Sequence, residues 1–304
     1  MQHQALALIG AEVGEGASDS GCKWGAQVLR ERGLAEHLDA PGRDARWVKM
    51  VCARPEEEAQ ARMESVGQFS IELAQVVQHQ LQRGTQPVVV GGDHSCAVGT
   101  WSAVAQVWRE RGDIGLIWVD AHLDAHTPAT SDSLAPHGMP VAALLGHGVP
   151  GLTELYGWAG KVKPGNLVII GARSFESGEQ ALLDRLGVRV MYMPEVDRRG
   201  FEACFDEALA LVRRHTVAWG LSFDLDALDP ADAPGTGTPV DAGIALADAA
   251  HAMRGCALEV DCVAIELTEY NPVHDVEGRT AQSAFALLSS ITALPVLAEQ
   301  RLVA

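Results

Sequence analysis

The chain is poor in positive charge. Twenty-three Lys and Arg residues stand against 40 Asp and Glu in 304 residues, a formal charge of −17. No cluster of Lys or Arg interrupts the acidic balance, which excludes nucleic acid and anionic lipid as partners held by counterion release. The same balance is compatible with a cationic substrate, although most acidic surfaces serve only solvation. Cysteine is scarce, and its six copies at positions 22, 52, 96, 204, 256 and 262 contain no CxxC spacing. A disulfide scaffold is therefore not expected; reduced thiols in a soluble, cytoplasmic protein are. No stretch approaches the ~18 consecutive apolar residues of a spanning helix. The opening MQHQALALIGAEVGEG has an apolar run without basic residues ahead of it, which reads as an opening strand rather than a signal peptide. Internal repeats, low-complexity tracts and Pro/Ser-rich linkers are also missing. Residues 1–304 thus read as a single domain, long enough to bury a core without staples.

What is present is a series of short apolar runs. They are ALALIGAEV from position 5, QPVVVGG from 86, DIGLIWVD from 113, NLVIIGA from 166, VRVMYM from 188, VAWGLSFDLD from 217 and VDCVAIEL from 260. Apolar on both faces, they predict buried parallel strands. Between them, GAQVLRERGLAEHL, SVGQFSIELAQVVQHQLQRG, AVGTWSAVAQVWRERG, GEQALLDRLG and RGFEACFDEALALVRRH repeat apolar residues at three and four positions, and several stop on glycine, as helices do. This alternation predicts an α/β fold: one doubly wound, mostly parallel sheet with helices on both faces. Ligands of such sheets bind at the carboxyl ends of the strands.

Those ends carry Gly91-Gly92-Asp93-His94-Ser95, then Asp120-Ala121-His122-Leu123-Asp124, then Asp224-Leu225-Asp226-Ala227-Leu228-Asp229-Pro230, and finally Glu269-Tyr270-Asn271-Pro272. Along extended backbone, Asp120, His122 and Asp124 share one side, as do Asp224 and Asp226. One such cluster alone is ordinarily a turn or a cap. Three of them at one sheet edge would leave buried carboxylates uncompensated unless cations bind between them. Four carboxylates and two imidazoles, from His94, Asp120, His122, Asp124, Asp224 and Asp226, exceed a closed tetrahedral zinc site. They suit two five- or six-coordinate ions, and mixed imidazole–carboxylate ligation favours manganese over magnesium or calcium.

GGDHS, DAHLD and SFDLDALDP, in this order, resemble the three signature motifs of the ureohydrolase (arginase/agmatinase) family. The resemblance runs from the glycine-spaced GAEVGEGASDSGCKWGAQVLRERGL through EYNP near the C-terminus. It implies the α/β sheet described above, a homotrimer or homohexamer, and two Mn2+ per subunit. Residue by residue, it implies that His94, Asp120, Asp124 and Asp224 hold one ion. His122, Asp120, Asp224 and Asp226 would hold the other, with Asp120 and Asp224 shared. A metal-bridging hydroxide would then attack the guanidino carbon. Asp124 would orient it, Glu269 would pair with the guanidinium, and His137 would carry a proton to the departing amine.

The loop of residues 126–137 is similar to that of the arginase branch, with Thr127-Pro128 and two serines ahead of His137; the aromatic-containing loop usual in agmatinases is missing. By this resemblance Ser131 and Ser133 would meet a substrate carboxylate, and the segment 171–179, with Glu176 and Glu179, an α-ammonium. The implied reaction is hydrolysis of L-arginine to L-ornithine and urea, with agmatine, 4-guanidinobutyrate or a related guanidino acid as alternatives. Departures from the pattern bear on the tail of the substrate. His126 stands where many arginases have Asn, Glu176 where they have Asp, and Ser133-Leu134-Ala135 where they have Ser-Gly-Asn. His126 can still donate to a carboxylate, and Glu176 reaches one methylene further than Asp. Gly14-Glu15-Gly16 hints at a dinucleotide loop, but Asp19 occupies the position of the third glycine, and a lone GxG is weak. A metal-free scaffold is disfavoured because every ligand position is intact.

Overall fold

Each of the seven apolar runs forms a strand in a computed structural model that describes residues 4–56 and 58–294. The strands are β1 (Gln4–Glu12), β2 (Arg43–Cys52), β3 (Gln86–Val90), β4 (Ile114–Val119), β5 (Leu167–Ile170), β6 (Arg189–Met191), β7 (Ala218–Asp224) and β8 (Cys262–Thr268). All pair in parallel, in the order β2-β1-β3-β8-β7-β4-β5-β6. Strand β2, RDARWVKMVC, is absent from the reading of the sequence. It lies at the sheet edge and alternates buried with exposed residues, so it presents no apolar run for periodicity to find.

The helices are α1 (Gly25–Glu31), α2 (Leu34–Leu38), α3 (Ala59–Gln82), α4 (Ala97–Trp108), α5 (Pro140–Leu144), α6 (Pro150–Thr153), α7 (Ser177–Leu186), α8 (Met193–Arg199), α9 (Phe201–Val212), α10 (Leu246–Ala252) and α11 (Arg279–Ile291). The expected single helix over 25–38 breaks at Gly33, whose φ of +83° is left-handed. The short α5, α6, α8 and α10, and the C-terminal α11, were not anticipated from the sequence.

Side chains alternate across the sheet and build two cores. Leu6, Leu8, Val88, Val90, Ile117, Val119, Leu221 and Phe223 face one layer with α1, α2, α8, α9, α10 and α11. Ile9, Val89, Leu116, Trp118, Leu167 and Ile169 face the other, with α3, α4, α5 and α7. The period-two alternation of buried residues therefore explains why both faces carry helices. The six cysteines are free thiols, and Cys52 alone among them is exposed. No helix among the described residues is long and apolar enough to cross a membrane.

The order of the strands positions the site. Strands β7 and β8 insert between β3 and β4. The carboxyl ends of β3, β8, β7 and β4 thus lie side by side at the centre, and each carries one of the polar clusters.

Candidate metal centre

His94 follows β3 in a 3-10 turn whose cap is Asp93, the Asp93 carboxylate accepting the Ser95 N–H at 3.0 Å. His94 is buried, with its ring flat on Trp118, centroids 4.0 Å apart and planes at 11°. Its Nδ1 lies 3.1 Å from Asp120 Oδ2, 3.1 Å from Asp124 Oδ2 and 3.0 Å from Asp224 Oδ2. A second group adjoins the first. His122 Nδ1 is 3.5 Å from Asp120 Oδ1 and 3.1 Å from Asp226 Oδ2. Asp120 therefore turns one oxygen to each group. Asp224 falls with His94, and its other oxygen accepts the Asp226 N–H at 2.7 Å.

The way these side chains converge differs from the expected pleat. Asp124 has φ +48°, so residues 120–124 do not continue β4 as extended backbone. Asp226 sits in a 3-10 turn, Leu225–Ala227, capped by Asp224. Turns at the strand ends, rather than period-two alternation, bring the carboxylates together.

The tautomer of His94 follows from the bonds behind it. Trp101 Nε1 donates to Glu266 Oε2 at 2.9 Å, and Ser222 Oγ lies 2.7 Å from the same oxygen. An indole N–H only donates, so this oxygen is an acceptor and Ser222 donates to it. The hydroxyl then has only lone pairs to offer His94 Nε2, 3.0 Å away. Nε2 therefore carries a proton, which leaves Nδ1, facing three carboxylate oxygens, as the ring atom able to ligate a cation. His94 Nδ1 and Asp124 Oδ2 are both buried without a hydrogen-bond partner. An imidazole nitrogen facing three carboxylate oxygens, of which Asp120 Oδ2 also accepts the Trp118 N–H at 2.8 Å, fits a divalent cation, and the sharing of Asp120 fits a pair of them.

Without ions, protons take up this charge. Burial pulls the two imidazoles down, but Asp120, Asp124 and Asp224 push His94 well above its ordinary range, and Asp226 and Asp120 do the same for His122. Burial together with Asp120 raises Asp124 to about 6. Burial and Asp226 raise Asp224 well above the usual carboxylate range. Asp120 is driven up by burial, yet the bonds from His122 and His94 hold it well below that range.

A cavity of about 280 Å³ opens over these groups. Its lining includes His122, Asp124, Asp224, Asp226, His137 and Glu269, together with His126, Ser131, Ser133, Glu176 and Glu179. All the anticipated site residues except the fully recessed His94 and Asp120 thus border one space. Glu269 has φ +64° and its N–H donates to Gly92 O at 2.9 Å. Its Oε1 accepts the His94 N–H at 2.8 Å, and its Oε2 accepts the Cys22 thiol at 3.1 Å. His137 faces it, Nδ1 to Oε1 3.3 Å. In the outer loop Ser133 Oγ lies 3.4 Å from Ser131 Oγ and accepts the Ala135 N–H at 3.2 Å. Glu176 and Glu179 form a capping box at the start of α7, and His126 Nε2 lies 2.8 Å from Glu176 Oε2.

Several supporting residues were not foreseen. Ser222 could have been found, because it lies two residues before Asp224 on the same strand and so on the same side. Glu266, Trp101 and Cys22 come from separate segments, and no spacing in the chain connects them to the site. Thr238, whose hydroxyl donates to Asp226 Oδ2 at 3.2 Å, lies in a loop without a motif. Arg173 clasps the Asp226 turn by donating to the carbonyls of Asp226, Ala227 and Leu228 at 2.8–3.3 Å.

Comparison with known proteins gives the family of the chain. The arginase of Bacillus caldovelox is 36% identical over 293 residues, spanning 94% of this chain and 97% of that one. The arginase of Brevibacillus brevis is 39% identical over 292 residues, with 94% and 97% covered. The crystal structure of arginase from Bacillus cereus superposes with a TM-score of 0.90 at 37% identity, covering 97% of this chain and all of that one. The arginase family model matches residues 4–293, and the chain belongs to the arginase family.

Proposed function

We propose that the protein is a manganese-dependent hydrolase converting L-arginine to L-ornithine and urea. The observation that carries this reading is the pair of ligand groups sharing Asp120, at the floor of a cavity that also holds His137 and Glu269. His94, Asp120, Asp124 and Asp224 would hold one Mn2+, and His122, Asp120, Asp224 and Asp226 the other. When bound, the ions would supply a nucleophilic water at neutral pH, which a resonance-stabilised guanidino carbon requires.

The protein's own groups do the rest. Glu269, ionised and turned into the cavity, receives the guanidinium as a charge-assisted pair. Asp124 accepts a hydrogen bond from the attacking water. His137, within reach of the same space, gives a proton to the departing nitrogen. Ser131, Ser133 and His126 offer donors to a substrate carboxylate, and Glu176 and Glu179 acceptors to an α-ammonium. We further take residues 1–304 as one domain of an intracellular homotrimer or homohexamer.

One observation favours a second reading. The Glu176 carboxylate that would take the α-ammonium already faces His126 at 2.8 Å, which suits a guanidino acid without an α-ammonium, such as 4-guanidinobutyrate. Urea release by the manganese-loaded protein across arginine, agmatine, 4-guanidinobutyrate and guanidinopropionate, with formamide release measured for formiminoglutamate, separates them. Arginine is expected to give the highest kcat/KM. Agmatine or 4-guanidinobutyrate turned over at least as efficiently would overturn the arginine assignment.

A further inference from the structure

The mouth of the cavity holds another convergence of ligand-type atoms, apart from the four aspartates. His126 Nε2 lies 2.8 Å from Glu176 Oε2 and 3.3 Å from Glu179 Oε2. The three ligand atoms all fall within 4.8 Å of one another. They arrive from two segments, the loop after β4 and the first turn of α7. The other ring nitrogen of His126 lies 3.2 Å from Thr130 Oγ1. The arrangement repeats that of His94, in which a hydroxyl engages one ring nitrogen while carboxylates crowd the other. A hydroxyl partner on the far nitrogen is what orients a metal-ligating imidazole.

We propose that His126, Glu176 and Glu179 form a further divalent-metal site, of the zinc class, whose occupation excludes the tail of a guanidino substrate. One imidazole and two carboxylates, with an open side completed by water, are a ligand set zinc accepts. Glu179 is buried, Glu176 reaches in from solvent, and the cavity beside them gives an ion a way in. Charge favours it. Two divalent ions would balance the four aspartates, leaving the Glu176 carboxylate as an anion at the mouth of the same lining. The start of α7 opposes a cation with roughly half a positive charge, which the full carboxylate charge of Glu176 outweighs. Both departures from the family pattern, His126 for Asn and Glu176 for Asp, supply this triad: one brings a nitrogen ligand, the other a longer carboxylate. The competition with substrate rests on the guanidino-hydrolase reading; the binding of the ion does not.

The test uses the manganese-loaded enzyme with zinc as the probe. Equilibrium dialysis followed by metal analysis of both elements is run on wild type, His126→Asn and Glu179→Gln. Wild type is expected to gain one zinc per subunit at micromolar concentration with its manganese retained, and each variant to bind that zinc at least ~10-fold more weakly. In wild type, zinc should raise the apparent KM for the guanidino substrate with kcat unchanged. Zinc gained only in proportion to manganese lost, or gained equally by the variants, overturns the site. It also falls if wild type binds no zinc. Zinc that binds as expected to a protein inactive on every guanidino substrate leaves the site standing and removes the functional reading instead.

Discussion

Glu269 Oε1 lies 3.3 Å from His137 Nδ1, and the backbone of each is tied to a different loop. His137 donates to Gly16 O at 3.0 Å, and Glu269 to Gly92 O at 2.9 Å. Burial alone would pull the imidazole down, but the hydrogen bond and charge of Glu269 push it up to about 9. Burial would likewise raise Glu269, and His137 brings it below its ordinary range. The two groups that would bracket a guanidinium therefore set each other's charge.

That pairing has a pH signature in the metal-free protein. The folded-state value of His137 lies above its unfolded value of 6.5. Its contribution to stability is then fully present below about 6.5 and is lost as pH rises through about 9. Urea unfolding of the metal-free protein should show stability falling across that window. Glu269→Gln should flatten the fall, and an unchanged slope in the variant would refute the pairing.

His137→Asn should fold, keep its metal content and lose roughly 10²-fold or more in turnover, the scale of a lost general acid or base. Steady-state urea release with parallel metal analysis checks it. Activity near wild type from pH 7 to 10 would remove the proton-shuttle role.

His94→Ala and Asp226→Asn strike different ligand groups, so each should lower metal content toward one ion per subunit and reduce turnover severely. Fewer than about one ion per subunit in fully active wild type would refute a two-ion centre.

Behind His94, Glu266→Gln replaces the acceptor that fixes the Ser222 hydroxyl, and through it the tautomer of the ligand ring. Metal affinity should fall ~10- to 100-fold while the fold is retained, as read by dialysis against graded manganese. Trp101, which shares Glu266, lies over a bare patch of β7: a Cβ at Gly220 would sit 2.2 Å from the Trp101 ring. Gly220→Ala should accordingly cost about 1–3 kcal/mol by overpacking, measured by chemical denaturation.

At the mouth, Glu176→Ala removes an acceptor suited to an α-ammonium. KM for arginine should rise by the equivalent of about 1–3 kcal/mol, with the metal content unchanged. KM for 4-guanidinobutyrate should change far less, because that substrate has no α-ammonium to lose. Equal effects on both substrates would place Glu176 outside tail recognition.

The sequence by itself determined the strands that are buried on both faces and the residues that end them, because apolar runs and the polar clusters that follow them are local patterns. His94, Asp120, His122, Asp124, Asp224 and Asp226 were legible for that reason. It also carried the family, since the three motifs keep their order along the chain. The tertiary structure alone decided that β7 and β8 slot between β3 and β4, which is what makes those clusters neighbours. Periodicity does not encode which strands pair. Nor could it show β2, whose exposed edge tolerates polar residues, or the left-handed turns at Asp124 and Glu269 that aim their carboxylates. Glu266 and Trp101 lie 165 residues apart. Their bond, and the contact of His126 with Glu176, exist only because burial and loop closure bring distant polar atoms within hydrogen-bond reach, where each must find a partner.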